Sequence, residues 1–142
     1  MNTRTGHDAP ARAERSGRSQ KGAVLVEFAF VLPVFLLLLF GMITFSVALY
    51  NKTVLTMATR EGARTGIRYV ADRTDATIMS SANAAASALC SQNLISFGGS
   101  ISPSITSTVS GDILTVAASG TYTGLYIFGD MPMSAQTTMR IE

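Results

Sequence analysis

The chain is poor in charge. Only 14% of its 142 residues are Asp, Glu, Lys or Arg, against about 25% in an ordinary soluble domain. A single cysteine, Cys90, excludes an internal disulfide framework and any CxxC metal or redox site. The lone histidine, His7, sits in a polar tail, so a histidine-based metal cluster and a Ser-His-Asp triad both lack their parts. The length leaves room for one small domain and excludes a multidomain enzyme with an extensive core.

What is present is unevenly distributed. Residues 1–22 hold Arg4, Arg12, Arg15, Arg18 and Lys21 against Asp8 and Glu14, a net +3, with almost nothing apolar. Such a stretch cannot bury enough surface to order itself and reads as a disordered basic leader. Residues 23–142 hold six basic and seven acidic residues, net −1. The basic excess is thus confined to the leader. A nucleic-acid reader needs basic groups spread over a folded surface, so no nucleic-acid partner is expected.

From Ala23 to Tyr50 the sequence runs AVLVEFAFVLPVFLLLLFGMITFSVALY, and Glu27 is its one charge. As a helix these 28 residues reach roughly 42 Å at 1.5 Å per residue, more than the roughly 30 Å of bilayer hydrocarbon. The run is apolar on every side, which excludes a helix lying in the membrane surface. Pro33 is expected to kink it, as membrane helices tolerate. Residues 23–50 are therefore expected to span a membrane. The basic leader favours a cytoplasmic N-terminus, although Lys52, Arg60, Arg64 and Arg68 follow on the other side. A cleaved secretory signal would have a shorter apolar core, of roughly 7–15 residues; Ser46-Val47-Ala48 is the one small-x-small pattern that would suit it.

Residues 51–142 are expected to form an extracytoplasmic α+β domain. The helical pattern continues beyond Tyr50, with Val54, Leu55, Ala58, Gly62, Thr65, Gly66 and Tyr69 on one face. The small stripe Ala58, Gly62, Gly66 permits close approach of another backbone, either this chain's own sheet or a neighbouring subunit. Arg60, Arg64 and Arg68 line the opposite face. That row is either a solvated face or a contact for lipid phosphates or an acidic neighbour. Asp75 is positioned to cap a second helix over 76–89, with Ile78, Ala82, Ala85 or Ala86, and Leu89 recurring at helical spacing. Cys90 reads as a small buried hydrophobe, with an intermolecular disulfide partner as the alternative. Residues 105–110, a Gly111-Asp112 turn and residues 113–118 form a hairpin that sets Val109 opposite Leu114 and Ile105 opposite Ala118. Residues 121–128 are expected as a third strand, and Met133, Ala135, Thr137, Met139 and Ile141 alternate as a last one.

The sharpest local feature is Lys21-Gly22-Ala23-Val24-Leu25-Val26-Glu27-Phe28. A carboxylate in a membrane segment costs several kcal/mol by insertion scales and tends to find a partner. Glu27 can snorkel toward the interface. Alternatively, a cut after Gly22 would make Ala23 an α-amine able to neutralise Glu27 of a neighbouring helix in low dielectric.

A basic leader, glycine, four apolar residues, glutamate, an aromatic residue and a long apolar helix resemble the prepilin pattern read by prepilin peptidases. The alanine after glycine is more similar to the type IVb (Flp-like) branch. Gly22–Phe28, Val31–Gly41, Ala58-Thr-Arg-Glu-Gly-Ala-Arg64 and Thr138–Glu142 resemble the TadE family of the tight-adherence (Tad) pilus system. The resemblance implies a minor pilin-like protein, a pseudopilin, cleaved between Gly22 and Ala23. Glu27 and Phe28 then take the acidic and aromatic positions used in subunit assembly. Its implied partners are membrane lipid, a prepilin peptidase, other pilins or pseudopilins and the Tad inner-membrane platform. Its implied location is the bacterial inner membrane, with entry into a pilus left open. No cofactor or metal is implied. The folded C-terminal half departs from the much shorter major Flp pilins.

Two other classes of function compete. One is an uncleaved single-span protein whose outer domain binds an envelope or pilus partner. The other is an enzyme, for which Asp112 and Asp130, both in expected turns, are a poor basis; no enzymatic activity is expected.

Overall fold

Helix α1 runs from Ser16 to Gly66 in a computed structural model that describes residues 16–68, 73–97, 99–124 and 128–141, with side chains from Gly22 onward. Most of the basic leader, residues 1–15, lies outside the described residues. Residues 16–22, expected as part of an unordered leader, are helical instead. Adding a residue to an existing helix is far cheaper than nucleating one, so the apolar run carries the helix upstream. Pro33 lies inside α1, where it withdraws the N–H that would bond the Ala29 carbonyl.

The chain divides into two units, Met1–Leu39 and Phe40–Glu142. In the first, every residue from Gly22 to Leu39 is exposed. In the second, the remaining turns of α1 join helix α2 (Asp75–Asn93) and strands β1 (Ser104–Ser110), β2 (Ile113–Thr123) and β3 (Asp130–Arg140). The fold class is α+β, as the sequence indicates.

Thr74, not Asp75, caps α2: its hydroxyl accepts from the Thr77 N–H, while the Thr77 hydroxyl accepts from the Thr74 N–H. This reciprocal pair satisfies donors that a helix start leaves orphaned, and Asp75 becomes the acidic residue of the first turn. The helix extends to Asn93 and buries Ile78, Ala82, Ala86 and Cys90.

The sheet is antiparallel in the order β1-β2-β3. Ile105 pairs with Ala118 and Val109 with Leu114, the register that the hairpin pattern implies. Gly111 has φ 59° in the connecting turn, a conformation that glycine adopts without a Cβ clash. The separate third strand expected over 121–128 does not form. Residues 121–123 prolong β2, which passes through Gly120 without a break, and 125–127 lie outside the described residues. The last strand starts at Asp130 and includes Pro132, which an edge strand accepts because its N–H need not serve a ladder.

One sheet face packs on the helices and the other is mostly Ser and Thr. Ala48, Leu55 and Ala58 from α1 cluster with Ala86, Cys90, Ala118, Tyr122 and Met133. Ala63 joins Ile78, Ala82, Leu114 and Val116 in a second cluster.

Candidate functional site: the Gly22 junction and the faces of helix α1

Gly22 has nothing within 4 Å of the position a Cβ would take, and Ala23 through Phe28 are exposed. The Gly22–Ala23 peptide lies within a helix. A protease that needs extended backbone would first have to unwind this end. Gly17 and Gly22 each weaken the helix by roughly 1 kcal/mol relative to alanine, which eases that opening. Among the described residues, no cation lies within ion-pair distance of Glu27. The Phe28 ring likewise stands uncovered.

Further along, α1 acquires two faces. Thr44, Ala48, Asn51, Val54, Leu55, Ala58, Thr59 and Ala63 are buried at helical spacing. Ala58 is wholly enclosed. A Cβ on Gly62 would meet the Ala82 carbonyl at 2.8 Å and the Ala86 Cβ at 3.0 Å; one on Gly66 would meet Leu114 Cδ2 at 2.7 Å. The small stripe is therefore pressed against this chain's own α2 and β2. Tyr69, expected on the same face, lies outside the described residues.

Arg60, Arg64 and Arg68 are exposed. Arg60 and Arg64 border an open groove of about 420 Å³, together with Met57, Glu61, Leu89, Thr137 and Met139. The groove sets the Arg60 and Arg64 guanidinium groups and the Glu61 carboxylate beside apolar side chains.

Two polar anchors escaped the sequence reading. Buried Asn51 donates its Nδ2–H to the Ile95 carbonyl at 2.7 Å and accepts the Ile95 N–H on Oδ1 at 3.0 Å, tying α1 to the segment after α2. Thr59 Oγ1 lies 2.9 Å from Thr137 Oγ1, linking α1 to β3. Their signal was available, because Asn51 and Thr59 fall on the wheel face of Ala48, Leu55 and Ala58. Burial pushes the Cys90 thiol and the Tyr122 phenol above their ordinary pKa values, keeping both neutral at ordinary pH.

Asp112 and Asp130 do not come together. They flank opposite ends of the 11-residue β2, roughly 36 Å apart at 3.3 Å per residue. Asp112 instead faces Arg140 at 3.9 Å, with both side chains exposed, and such pairs contribute little. No group of three or more His, Cys, Asp or Glu capable of holding a metal occurs among the described residues.

Among the described residues one helix, α1, is long and apolar enough to cross a membrane, and it continues into a small α+β domain; the class is that of a candidate membrane-spanning protein. Within that class, residues 22–64 match the model of the TadE-like protein family. The match begins at the glycine of the junction and ends at Arg64, covering under a third of the chain. The TadE-like family points to a pilin-like protein associated with the Tad pilus. No curated protein and no solved structure matches the chain.

Proposed function

We propose that this chain is a minor pilin-like subunit, a pseudopilin, of a Tad/Flp-type adhesion pilus or secretion apparatus. In this reading a prepilin peptidase cuts after Gly22, and the mature chain helps to initiate or tune assembly. The observation that carries the reading is the TadE-like match beginning at Gly22, where the junction is uncovered and leads into the candidate span.

The mechanism follows from electrostatics. Hydrolysis of the Gly22–Ala23 peptide gives the leader a carboxylate and gives Ala23 an α-amine. That amine is the positive group that Glu27 lacks among the described residues. In low dielectric, opposite charges attract far more strongly than in water, so the amine of one subunit and Glu27 of its neighbour favour a staggered register. Phe28 packs beside this pair. The partners are then membrane lipid, the peptidase, other pilins or pseudopilins and the Tad inner-membrane platform. The N-terminus is cytoplasmic and the α+β domain extracytoplasmic. The chain's role is structural, with no cofactor.

A second reading is an uncleaved single-pass protein whose outer domain binds an envelope or pilus partner. It is favoured by one observation, the passage of α1 through Gly22 from Ser16 without a break. The mass and N-terminal sequence of the chain extracted from membranes, with a Tad-type prepilin peptidase present, separate the two. A terminus at Ala23 that is lost on replacing Gly22 supports the pseudopilin. An intact chain supports the single-pass reading, and a terminus after Ala48 overturns both in favour of a secreted domain.

A further inference from the structure

The apolar length of α1 exceeds what a bilayer needs, and the excess overlaps the folded domain. No charged residue occurs on α1 between Glu27 and Lys52. A hydrocarbon layer of roughly 30 Å takes about 20 helical residues. Counted from Gly22, which follows Lys21 and leaves the Glu27 carboxylate within snorkelling reach of the interface, that layer ends near Gly41. Burial of α1 begins at the same place. A Cβ on Gly41 would lie 3.2 Å from Cζ of Phe128, and one on Gly124 would lie 2.7 Å from Cγ2 of Thr44. The end of the β2–β3 hairpin therefore touches α1 at the level of residues 41–44.

The far face of the same turns stays bare: Met42 is 73%, Phe45 60% and Leu49 51% exposed. A second limit comes from Asp130. It is exposed and registers with Thr123, one residue from the Gly124 that meets Thr44. A carboxylate in hydrocarbon is costly, so the hydrocarbon boundary lies on the Gly41 side of Asp130. Counting from the N-terminal charge and counting from the sheet thus converge on one boundary. Met42 and Phe45 lie within about one turn of Gly41 on α1, and Phe128 meets Gly41 from the sheet side, so three large apolar side chains sit at this level.

We infer that Phe128, in the connection between β2 and β3, is a second membrane contact: its ring rests in the lipid interface beside Met42 and Phe45. The occupant of this surface is bilayer lipid, continuous with the lipid around the span. The contact holds the α+β domain down on the membrane instead of leaving it tethered by one helix. It rests on α1 crossing a bilayer and is independent of cleavage at Gly22.

The chain has no tryptophan, so each introduced indole reports alone. Full-length Phe128→Trp, Phe45→Trp, Leu36→Trp and Ile113→Trp would be reconstituted in phosphatidylethanolamine/phosphatidylglycerol vesicles whose acyl chains carry bromine near the carbonyl end. Indole at 128 is expected to emit blue-shifted light and to be quenched as strongly as indole at 45. Ile113 lies at the far end of β2, so indole there is expected to be unquenched. Quenching at 36 without quenching at 128 would overturn the inference while leaving the span intact; this is also the result if a second protein copy covers the hairpin. Absence of quenching at 36 would overturn the span and the inference together. If indole at 128 disturbs the packing on Gly41, Asp130→Trp reports from an exposed neighbouring position. It is expected to show weaker but measurable quenching, and none would overturn the contact.

Discussion

Helix α1 contains two stretches that solve different problems. From Gly22 to Leu39 every residue is exposed, and the large apolar types Leu, Phe and Val sit on all sides. From Gly41 to Gly66 one face is buried every three or four residues, and that face is built from Thr44, Ala48, Asn51, Leu55, Ala58, Gly62 and Gly66. A helix surrounded by hydrocarbon has no preferred side, so bulk and apolarity are enough. A helix wedged against α2 and β2 needs small residues where backbones approach and polar ones where backbone groups must be satisfied. The two stretches are chemically distinct although the helix is continuous.

The contrast predicts opposite responses to the same kind of change. Gly62→Leu drives a side chain into the Ala82 carbonyl and Ala86. Such overpacking should destabilise the α+β domain by about 3 kcal/mol, read as a lowered urea midpoint of the detergent-solubilised chain. Gly22→Ala meets nothing within 4 Å and lies outside the unit Phe40–Glu142, so its gain in helix propensity stays local to the start of α1 and the stability of the α+β domain should change by less than about 0.5 kcal/mol. Equal losses in the two variants would erase the distinction.

A smaller effect tests whether the second stretch is anchored by polar groups as well as by packing. Asn51→Ala removes both hydrogen bonds to Ile95 and leaves that backbone pair without partners, at a cost of about 2 kcal/mol. Hydrogen exchange at the Ile95 amide should accelerate by more than global destabilisation alone explains. An unchanged exchange rate would mean that Asn51 is packing and not a latch.

Residue spacing made much of this legible. The 3.6-residue period on α1 and α2 and the two-residue period on β1 and β3 each named the buried face, and Gly111-Asp112 set the hairpin register. The junction at Gly22 was visible as a composition change from basic to apolar. Legibility failed where continuation competes with termination. The strand expected to end at 118 and the separate one expected from 121 are one continuous β2, because Ser119 pairs with Ser134 and Gly120 with Met133, which holds the backbone extended between them. Thr74 was missed as the cap of α2 because its partner at the third helical position is Thr77 instead of Glu or Gln. Hydropathy sets residues 23–50 apart as one apolar run and is silent on the packing of Gly41 and Thr44 against Phe128 and Gly124 within it. Composition cannot separate a helix face that meets lipid from one that meets an apolar domain.

The smallest expected effect is also the one with a sign that distinguishes the stretches most cleanly. Tyr122 is wholly buried, and its hydroxyl has no hydrogen-bond partner among the described residues. Removing an unpaired buried hydroxyl relieves a desolvation penalty, so Tyr122→Phe should stabilise the domain, by about 1 kcal/mol. The pH dependence follows from the same burial. Cys90 and Tyr122 both have pKa values raised above ordinary, so they stay protonated in the folded chain where the unfolded chain has begun to ionise. Above about pH 8.5 for the thiol and about pH 10 for the phenol, the unfolded state therefore binds fewer protons, and stability falls as pH rises. Below that window the contribution is constant. Tyr122→Phe should remove the part of the alkaline loss that sets in near pH 10 and leave the part due to Cys90, which Cys90→Ala removes in turn. A Tyr122→Phe chain less stable than the parent at neutral pH would mean that the hydroxyl is satisfied, and that this core tolerates polar groups as readily as the Asn51 and Thr59 positions do.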